Sequence, residues 1–202
     1  MLVLGIDPGS TVTGYGLVRR QRGRYLLITA GGIKTRSKDP IPQRLQKIHS
    51  GLVQVIGEHQ PDVVAIEAIF RHKSSESALR LGQARGVALL AAASAECPIF
   101  EYNAMTVKKS IGGHGRAGKA EMQRVVARLL GLSEPLPTDA ADAAAIAMTH
   151  LGHARMASLA GGSGGMGLME RAQAVAEAQK RARKHGAPVT GARIRRRTGG
   201  KG

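Results

Sequence analysis

The sequence predicts an α/β fold with a mixed five-stranded sheet flanked by helices. Three apolar segments joined by short polar turns come first, which is typical of an antiparallel meander. Two further apolar segments each follow a helical pattern. A helix between two strands allows the second strand to return parallel to the first, so these segments predict parallel strands.

The strands are predicted from their apolar composition. Leu2 to Ile6 is uninterrupted and apolar, which favours a buried central strand. Residues 11–19 and 25–29 complete the meander. Residues 63–67 form the fourth strand, beside the first, and residues 97–101 form a short fifth strand.

The helices are predicted from apolar residues at helical spacing. Residues 42–59 show this pattern at Leu45, Ile48, Leu52 and Ile56,. The remaining predicted helices span residues 74–95, 104–111, 119–131 and 138–150. A glycine-rich loop, residues 112–118, separates two of them and suits close approach to another backbone, although a plain interhelical connection explains it equally well.

Two regions are predicted along the chain. Residues 1–156 hold the folded pattern, and residues 157–202 form a basic tail that begins with the glycine-rich linker 161–165,. Residues 151–202 carry 11 Lys and Arg against 2 acids, whereas residues 1–150 carry 19 against 12. We expect the tail to be flexible and to add salt-sensitive affinity for DNA.

The overall charge indicates a polyanionic partner. The 202 residues include 30 Lys and Arg and 14 Asp and Glu, a formal net charge of +16, which favours nucleic acid. Cys97 is the one cysteine, so no intrachain disulfide is possible and a reducing compartment is indicated,. No apolar run approaches the ~20 residues of a membrane-spanning helix, so we expect a cytoplasmic protein.

Four acidic residues occupy informative positions. Asp7 ends the first strand and Glu67 ends the fourth, and a charge after an apolar strand is costly to bury unless it is paired. Asp139 and Asp142 are three residues apart, on one face at the start of the last predicted helix. If that helix packs against the ends of both strands, four carboxylates converge.

Converging carboxylates predict a metal site. They repel one another and lose hydration, so they need a compensating cation, and oxygen ligands suit Mg²⁺ or Mn²⁺. Two such ions can promote phosphodiester hydrolysis. Each acid alone also has an ordinary role, as a strand cap, a surface group or a helix-dipole partner, so the prediction depends on the set.

Five motifs follow one another along the chain: Gly5-Ile-Asp-Pro-Gly9, Thr13-Gly-Tyr-Gly16, Ala65-Ile-Glu67, Ser77-Ala-Leu-Arg-Leu-Gly-Gln-Ala-Arg-Gly86 and Asp139-Ala-Ala-Asp-Ala143. In this order they resemble the motifs of the RuvC family of crossover junction endodeoxyribonucleases (Holliday-junction resolvases). The resemblance runs from Met1 to about His150 and implies a ribonuclease H-like fold. The basic extension after it departs from the family pattern.

The resemblance implies a specific function. It implies a homodimer that resolves four-way junctions by paired symmetric nicks in recombination and repair, leaving 5′-phosphate and 3′-hydroxyl ends. It implies Asp7, Glu67, Asp139 and Asp142 as catalytic and metal-binding residues, with two Mg²⁺ per site that Mn²⁺ can replace. Asp7 is predicted to be shared by both ions. The implied partner is the branch-migration complex of the same pathway, formed by RuvA- and RuvB-type proteins.

Four further residues are predicted to contact DNA. The resemblance implies that Phe70 stacks on a base near the junction and that Lys108 and Lys119 contact phosphates near the cut. Arg116 adds charge to the glycine-rich loop. From the residues alone, Phe70 is equally well explained as an anchor under a loop, and each lysine as a solvated surface residue.

Two other function classes are compatible with parts of the sequence. A kinase or ATPase of the actin and sugar-kinase type also begins with a Gly-Ile-Asp-x-Gly strand and turn. The chain is short for the two lobes of that class, and no second Asp-x-Gly loop precedes the last helix. A non-catalytic nucleic-acid-binding module of the same fold is the third possibility. Four acids argue against it, since a binder gains nothing from negative charge at a phosphate.

Overall fold

The computed structural model describes residues 1–68, 75–112 and 118–160. Five strands and five helices are assigned in this part of the chain. The strands are β1 (Leu2–Asp7), β2 (Val12–Gln21), β3 (Arg24–Lys34), β4 (Val63–Glu67) and β5 (Ile99–Tyr102). The helices are α1 (Ile41–His59), α2 (Ser75–Ser94), α3 (Ala104–Gly112), α4 (Lys119–Leu130) and α5 (Thr138–Ala160).

The strands form one sheet in the order β3-β2-β1-β4-β5. β1, β2 and β3 pair antiparallel, and β4 and β5 add in parallel. The predicted mixed five-stranded sheet is therefore confirmed, including the placement of β4 beside β1. β1 lies at the centre because it is apolar and buried along almost its whole length.

Helices cover both faces of the sheet. One core cluster joins the sheet to α3, α4 and α5, and includes Val3, Val126 and Met148. The other joins the opposite face to α1 and α2, and includes Leu4 and Ile48. The residues of β1 alternate between these two clusters, as the period of two in a strand requires. The central strand is thus fixed from both faces, which holds Asp7 at its end in a defined position.

Two elements are longer than the sequence pattern indicates. β3 continues to Lys34 rather than ending at residue 29, because it stays paired with β2 as far as Val12. α5 continues to Ala160 rather than ending at residue 150. The predicted division between residues 156 and 157 falls inside α5, and the division into two regions remains a prediction. The tail beyond residue 160 lies outside the described residues.

Candidate active site

Asp7 and Glu67 lie side by side at the ends of two neighbouring strands. β1 and β4 are parallel, and Ile6 pairs with Ile66. The next residue on each strand is the acid, so the register itself brings the two carboxyl groups together. Their side chains are joined by a hydrogen bond. The sequence prediction that these two acids meet is thus matched by the geometry.

α5 brings the other two acids close because glycines occupy the positions of β1 and β2 that lie beneath it. A Cβ built on Gly5 would lie 1.9 Å from the carbonyl oxygen of Ala143, and one on Gly14 would lie 2.1 Å from that of Asp139. Neither distance is possible for a real side chain. The helix therefore packs directly on the strand backbones, with its N-terminus beside the end of β1.

The electrostatics of Asp7 record this convergence. Burial is the largest of the influences that raise the pKa of Asp7 to about 8, and the charges of Glu67, Asp142 and Asp139 contribute in that order. Each of the other three acids therefore acts on Asp7. Without a cation, the burial and the neighbouring negative charges favour the protonated form of Asp7, hydrogen-bonded to Glu67,.

Asp142 experiences opposing influences. Burial raises the pKa of Asp142, and the nearby Asp139 charge raises it further, while Lys119 and Lys108 lower it. Both lysines predicted from the sequence, Lys108 and Lys119, thus lie near the acidic cluster. Positive and negative side chains share one site, as required if the acids hold cations while the lysines face phosphates.

The site opens as a cavity of about 370 Å³. Its walls come from β1, β4, α3, α4 and α5. It is lined by Asp7, Glu67, Ala104, Val107, Lys108, Lys119, Met122, Asp142, Ala145 and Ile146. Asp139 is not among the lining residues, although its charge acts on both Asp7 and Asp142. Three of the four predicted acids and both predicted lysines therefore face one cavity.

The carboxylates fit a hard divalent cation by chemistry and charge, but they are not arranged as ligands. Within residues 1–68, 75–112 and 118–160, no three acidic, histidine or cysteine side chains converge as a metal-binding group. The Asp7 and Glu67 carboxyls are instead arranged as a proton-sharing pair. A cation would replace that proton and relieve the repulsion that raises the pKa of Asp7.

The turn after Asp7 is held by residues that the sequence prediction missed. The Thr13 hydroxyl donates to the carbonyl of Gly9 at 2.8 Å, and the Thr35 hydroxyl donates to that of Ser10 at 2.7 Å. The buried Arg44 guanidinium donates to the same Ser10 carbonyl at 2.5 Å and to the Thr35 hydroxyl at 3.2 Å.

One signal for Arg44 was present in the sequence. Arg44 precedes Ile48, Leu52 and Ile56 at intervals of four on the buried side of α1. An arginine in an apolar stripe of a helix indicates a buried polar contact.

Two of the predicted DNA contacts cannot be placed. Phe70 and Arg116 lie outside the described residues. Their predicted roles therefore depend on the sequence and the resemblance.

Comparison with known proteins identifies the family. The model of the family described as crossover junction endodeoxyribonuclease RuvC matches residues 3–150. The chain belongs to the RuvC family. The predicted family, fold class and enzyme class are confirmed, and RuvC-family nucleases are metal-dependent. The kinase and non-catalytic alternatives are set aside.

The similarity covers most of each relative. A crossover junction endodeoxyribonuclease RuvC from Citrifermentans bemidjiense is 47% identical over 150 residues, covering 74% of this chain and 92% of the relative. One from Photorhabdus laumondii is 50% identical over 149 residues, covering 74% and 86%. The matched region ends near the predicted limit of the resemblance, so the basic extension lies beyond it.

Solved structures agree with the sequence comparisons. Thermus thermophilus RuvC is similar with a TM-score of 0.71 and 39% identity, covering 77% of this chain and 96% of that chain. Thermus thermophilus RuvC in complex with a Holliday junction substrate gives a TM-score of 0.73 with the same identity and coverage. The yeast mitochondrial resolvase Ydc2 shares the fold at 14% identity, with a TM-score of 0.55 over 74% of this chain and 77% of that one.

In the part of the chain that the structure describes, no helix is both long enough and apolar enough to cross a bilayer.

Proposed function

We propose that this RuvC-family chain binds four-way DNA junctions and resolves them by paired symmetric nicks during recombination and repair. The observation that carries the proposal is the acidic cavity. A carboxyl with a pKa of about 8 lies beside three further acids, and two lysines face the same cavity. The similarity to a RuvC solved with a Holliday junction substrate supports the choice of DNA.

In this proposal the lysines of the cavity bind DNA, and its acids carry out cleavage. Lys108 and Lys119 hold phosphates next to the cut, since both face the cavity and both act on Asp142. The acids line the same cavity as those lysines, so a phosphate held by the lysines lies beside the acids. The hydrogen bonds of Arg44 to the Ser10 carbonyl and the Thr35 hydroxyl hold the turn after Asp7 and so keep that carboxyl oriented toward the scissile phosphate.

Asp7, Glu67, Asp139 and Asp142 are the proposed ligands of two Mg²⁺ per site, for which Mn²⁺ can substitute. Divalent cations held there supply Lewis-acid activation of water and charge stabilisation at the phosphate, giving 5′-phosphate and 3′-hydroxyl ends. Asp7 would be the ligand shared by both ions, as predicted from the sequence, and the effect of all three other acids on its pKa supports this central role. For Phe70 we propose stacking on a base near the junction, and for Arg116 contact with the backbone.

The proposal includes a homodimer, because paired nicks need two equivalent sites. α2 carries a candidate surface for it, here called the α2 stripe: Leu79, Gly82, Gly86 and Leu90. Leu79 is 63% exposed and Leu90 is 57% exposed, and a Cβ on either glycine would meet nothing within 4 Å. Exposed leucines flanking glycines favour a helix that packs closely against a second copy. The branch-migration complex of the same pathway is the proposed partner.

A cleavage assay tests the proposal. A mobile four-way junction and a linear duplex of the same sequence are each incubated with the protein and Mg²⁺. We expect paired nicks in the junction and at least tenfold slower cutting of the duplex. Asp7→Asn removes a central ligand, so it should bind the junction normally and cut neither substrate.

Asp39→Asn is the matched control, since Asp39 makes a surface pair with Arg36 at 3.2 Å and lies outside the cavity. It should cut like the wild type. Equal cutting of junction and duplex would leave a general nuclease in place of a resolvase. Cleavage by Asp7→Asn would remove the site assignment.

A further inference from the structure

The hairpin between β2 and β3 carries four arginines at the far end of the sheet from Asp7. They are Arg19, Arg20, Arg22 and Arg24, here called the arginine hairpin. Arg19 pairs with Leu2 at the start of β1, whereas Asp7 at its end pairs with Gly14. The six residues of β1 place about 17 Å between these two levels,. The hairpin is therefore a surface distinct from the cleavage cavity.

A second cavity lies beside the hairpin. Its volume is about 530 Å³. It is lined by Met1, Leu2, Arg19, Arg20, Gln21, His59, Gln60 and Asp62. Its acid is Asp62, whose Oδ2 already accepts a hydrogen bond of 2.6 Å from the backbone N–H of Leu2.

The hairpin guanidiniums are not neutralised within the described chain. The arginine ion pairs found there belong to Arg36, Arg80 and Arg85. The four arginines lie beside a cavity lined by one acid, Asp62, and the partial negative charge at the C-terminus of α1 does not offset them, so an excess of positive charge remains in this region,. Solvent and salt screen the repulsion among these guanidiniums, and a cluster of like charge favours an anionic partner.

The arginines are distributed over both faces and the tip of the hairpin. Gln21 pairs with Arg24, so Arg19, Gln21 and Arg24 share one face, and all three are exposed,. Arg20 points to the other face and lies over the Tyr25 ring, 5.3 Å from its centre. A ribbon with charge on both faces matches the extended, evenly charged backbone of DNA better than a single acidic side chain.

The tip residue occupies a strained backbone conformation. Arg22 has φ +48° and Gly23 has φ +81°. Two-residue turns with positive φ at both positions favour Asn-Gly or Gly-Gly, because a larger side chain is disfavoured there. Arginine at the first position gives up turn stability and places a guanidinium at the tip. A strained backbone conformation that presents a charged side chain is typical of a binding position.

We propose that the arginine hairpin binds the phosphate backbone of a duplex arm, away from the cleavage cavity. Guanidiniums suit phosphate because two parallel N–H groups can bind two oxygens. The choice of DNA rests on the proposed function, while the surface itself does not. In the bound junction, the hairpin anchors an arm while the acids act at the branch point.

The test compares two triple variants that lose the same charge. Arg19→Gln, Arg22→Asn and Arg24→Gln remove the hairpin charge, and asparagine improves the turn. Lys47→Gln, Arg128→Gln and Arg155→Gln remove three exposed charges from α1, α4 and α5. Fluorescence anisotropy measures binding to linear duplex over a range of salt, with a chelator present so that nothing is cut.

We expect the hairpin variant to lower the slope of log K against log salt by about 3, since each phosphate contact contributes about 0.9. The dispersed control should change the slope by less than about 1. A third variant, with lysine at positions 19, 22 and 24, should restore most of the slope because its charge is kept. Circular dichroism melting confirms that each variant is folded.

Equal slopes for the hairpin and control variants would overturn the proposal and leave these arginines to an acidic protein partner. The single variant Arg22→Asn provides a second measurement, in which the slope should fall by about 1 without loss of stability. Because binding is read without cleavage, the two proposals fail separately. A protein that cuts no junction but shows the hairpin slope would refute the proposed function and support this surface.

Discussion

At the scale of single residues, Arg44 illustrates how a buried charge serves the neighbouring site. The Arg44 side chain is 4% exposed, and burying an unpaired charge is costly. Its guanidinium is satisfied by the Ser10 carbonyl and the Thr35 hydroxyl. Ser10 lies in the turn that follows Asp7, and Thr35 lies in the segment that packs on this turn. Arg44 therefore stabilises the turn and, through it, the orientation of the Asp7 carboxylate.

Arg44→Met is expected to separate cleavage from binding. Methionine fills the apolar volume but leaves the Ser10 carbonyl with the Thr35 hydroxyl as its remaining donor, so the turn loosens. We expect single-turnover junction cleavage to fall about 10- to 100-fold, with the junction Kd changed less than about threefold. Lysine keeps the charge but not the forked geometry, so Arg44→Lys should recover part of the rate. A methionine variant that is folded and cuts at the wild-type rate would contradict this role.

His150 makes a second buried polar contact, with Tyr102 of β5. Its Nδ1 lies 2.8 Å from the Tyr102 hydroxyl, and the Phe100 ring packs 4.6 Å away. Burial, and to a smaller extent the neighbouring His153, lower the pKa of His150 from 6.5 to about 4. The folded state therefore binds a proton less readily than the unfolded state between these two values.

His150 predicts a specific acid sensitivity. Stability from the neutral imidazole is fully present above pH 6.5 and is lost as the pH falls toward 4, because only the unfolded chain takes up the proton,. The loss should be on the order of 3 kcal/mol. His150→Gln should flatten the free energy of unfolding over this window, measured by urea denaturation. His59→Gln is the histidine control, and parallel curves for His150→Gln and the wild type would rule the role out.

The acids could be predicted from the sequence, but their supports could not. Asp7 and Glu67 each follow an apolar strand, and that pattern is visible in the order of residues alone. Arg44 and Thr35 act through contacts with Ser10 that depend on how α1 meets the β1–β2 turn. Spacing along α1 shows that Arg44 faces the core, but not which carbonyl it reaches.

At the scale of elements, the site depends on how closely α5 lies on the sheet. Gly5 lies in β1, and Gly14 and Gly16 lie in β2, all beneath α5. A Cβ on Gly16 would lie 2.6 Å from the backbone nitrogen of Ala144. The alanines of α5 complete the fit, since larger side chains would lift the helix. The sequence motifs thus encode a distance between helix and sheet as well as the acids themselves.

Gly14→Ala is expected to damage both stability and cleavage. The added Cβ would lie 2.1 Å from the Asp139 carbonyl oxygen, so β2 and α5 must separate. Overpacking of this kind costs about 1–3 kcal/mol, and it displaces the N-terminal turn that carries Asp139. Thermal unfolding and junction cleavage measure the two effects.

Gly57→Ala is the control for this substitution. A Cβ there meets nothing within 4 Å, and the position lies in α1. Alanine in a helix should stabilise the protein by about 0.5–1 kcal/mol relative to glycine. If Gly14→Ala melted at or above the wild-type temperature, close packing of α5 would not be what the glycine provides.

The order of the elements could be predicted, whereas their lengths and exposed faces could not. Apolar periodicity indicates the five strands and five helices in sequence, because each period reflects a local backbone geometry. The ends of β3 and α5 depend on pairing and packing partners far along the chain. On α2, the alanine-rich stretch Ala88 to Ala95 suggests a dimer surface, but Ala88, Ala91 and Ala92 are buried in the domain's own core. The exposed side of α2 is the α2 stripe instead.

At the scale of the whole molecule, the acidic cluster and the arginine hairpin lie at opposite ends of the central strand β1. A net charge of +16 attracts DNA from any direction,. The cavity lysines and the hairpin then give that attraction an orientation.

The last prediction concerns assembly. Leu79 and Leu90 are eleven residues apart, about three helical turns, so both lie on the exposed side of α2,. Leu90→Lys places a charge in the proposed interface without disturbing the core. We expect light scattering to show a monomer in place of a dimer, and the cleaved junctions to carry single nicks, because one site alone cannot cut both strands. Val53→Lys, on α1 and 43% exposed, should remain dimeric with paired nicks. A Leu90→Lys protein that stays dimeric would move the interface away from the α2 stripe, while a monomer that still makes paired nicks would show that the two cuts do not require two copies held together.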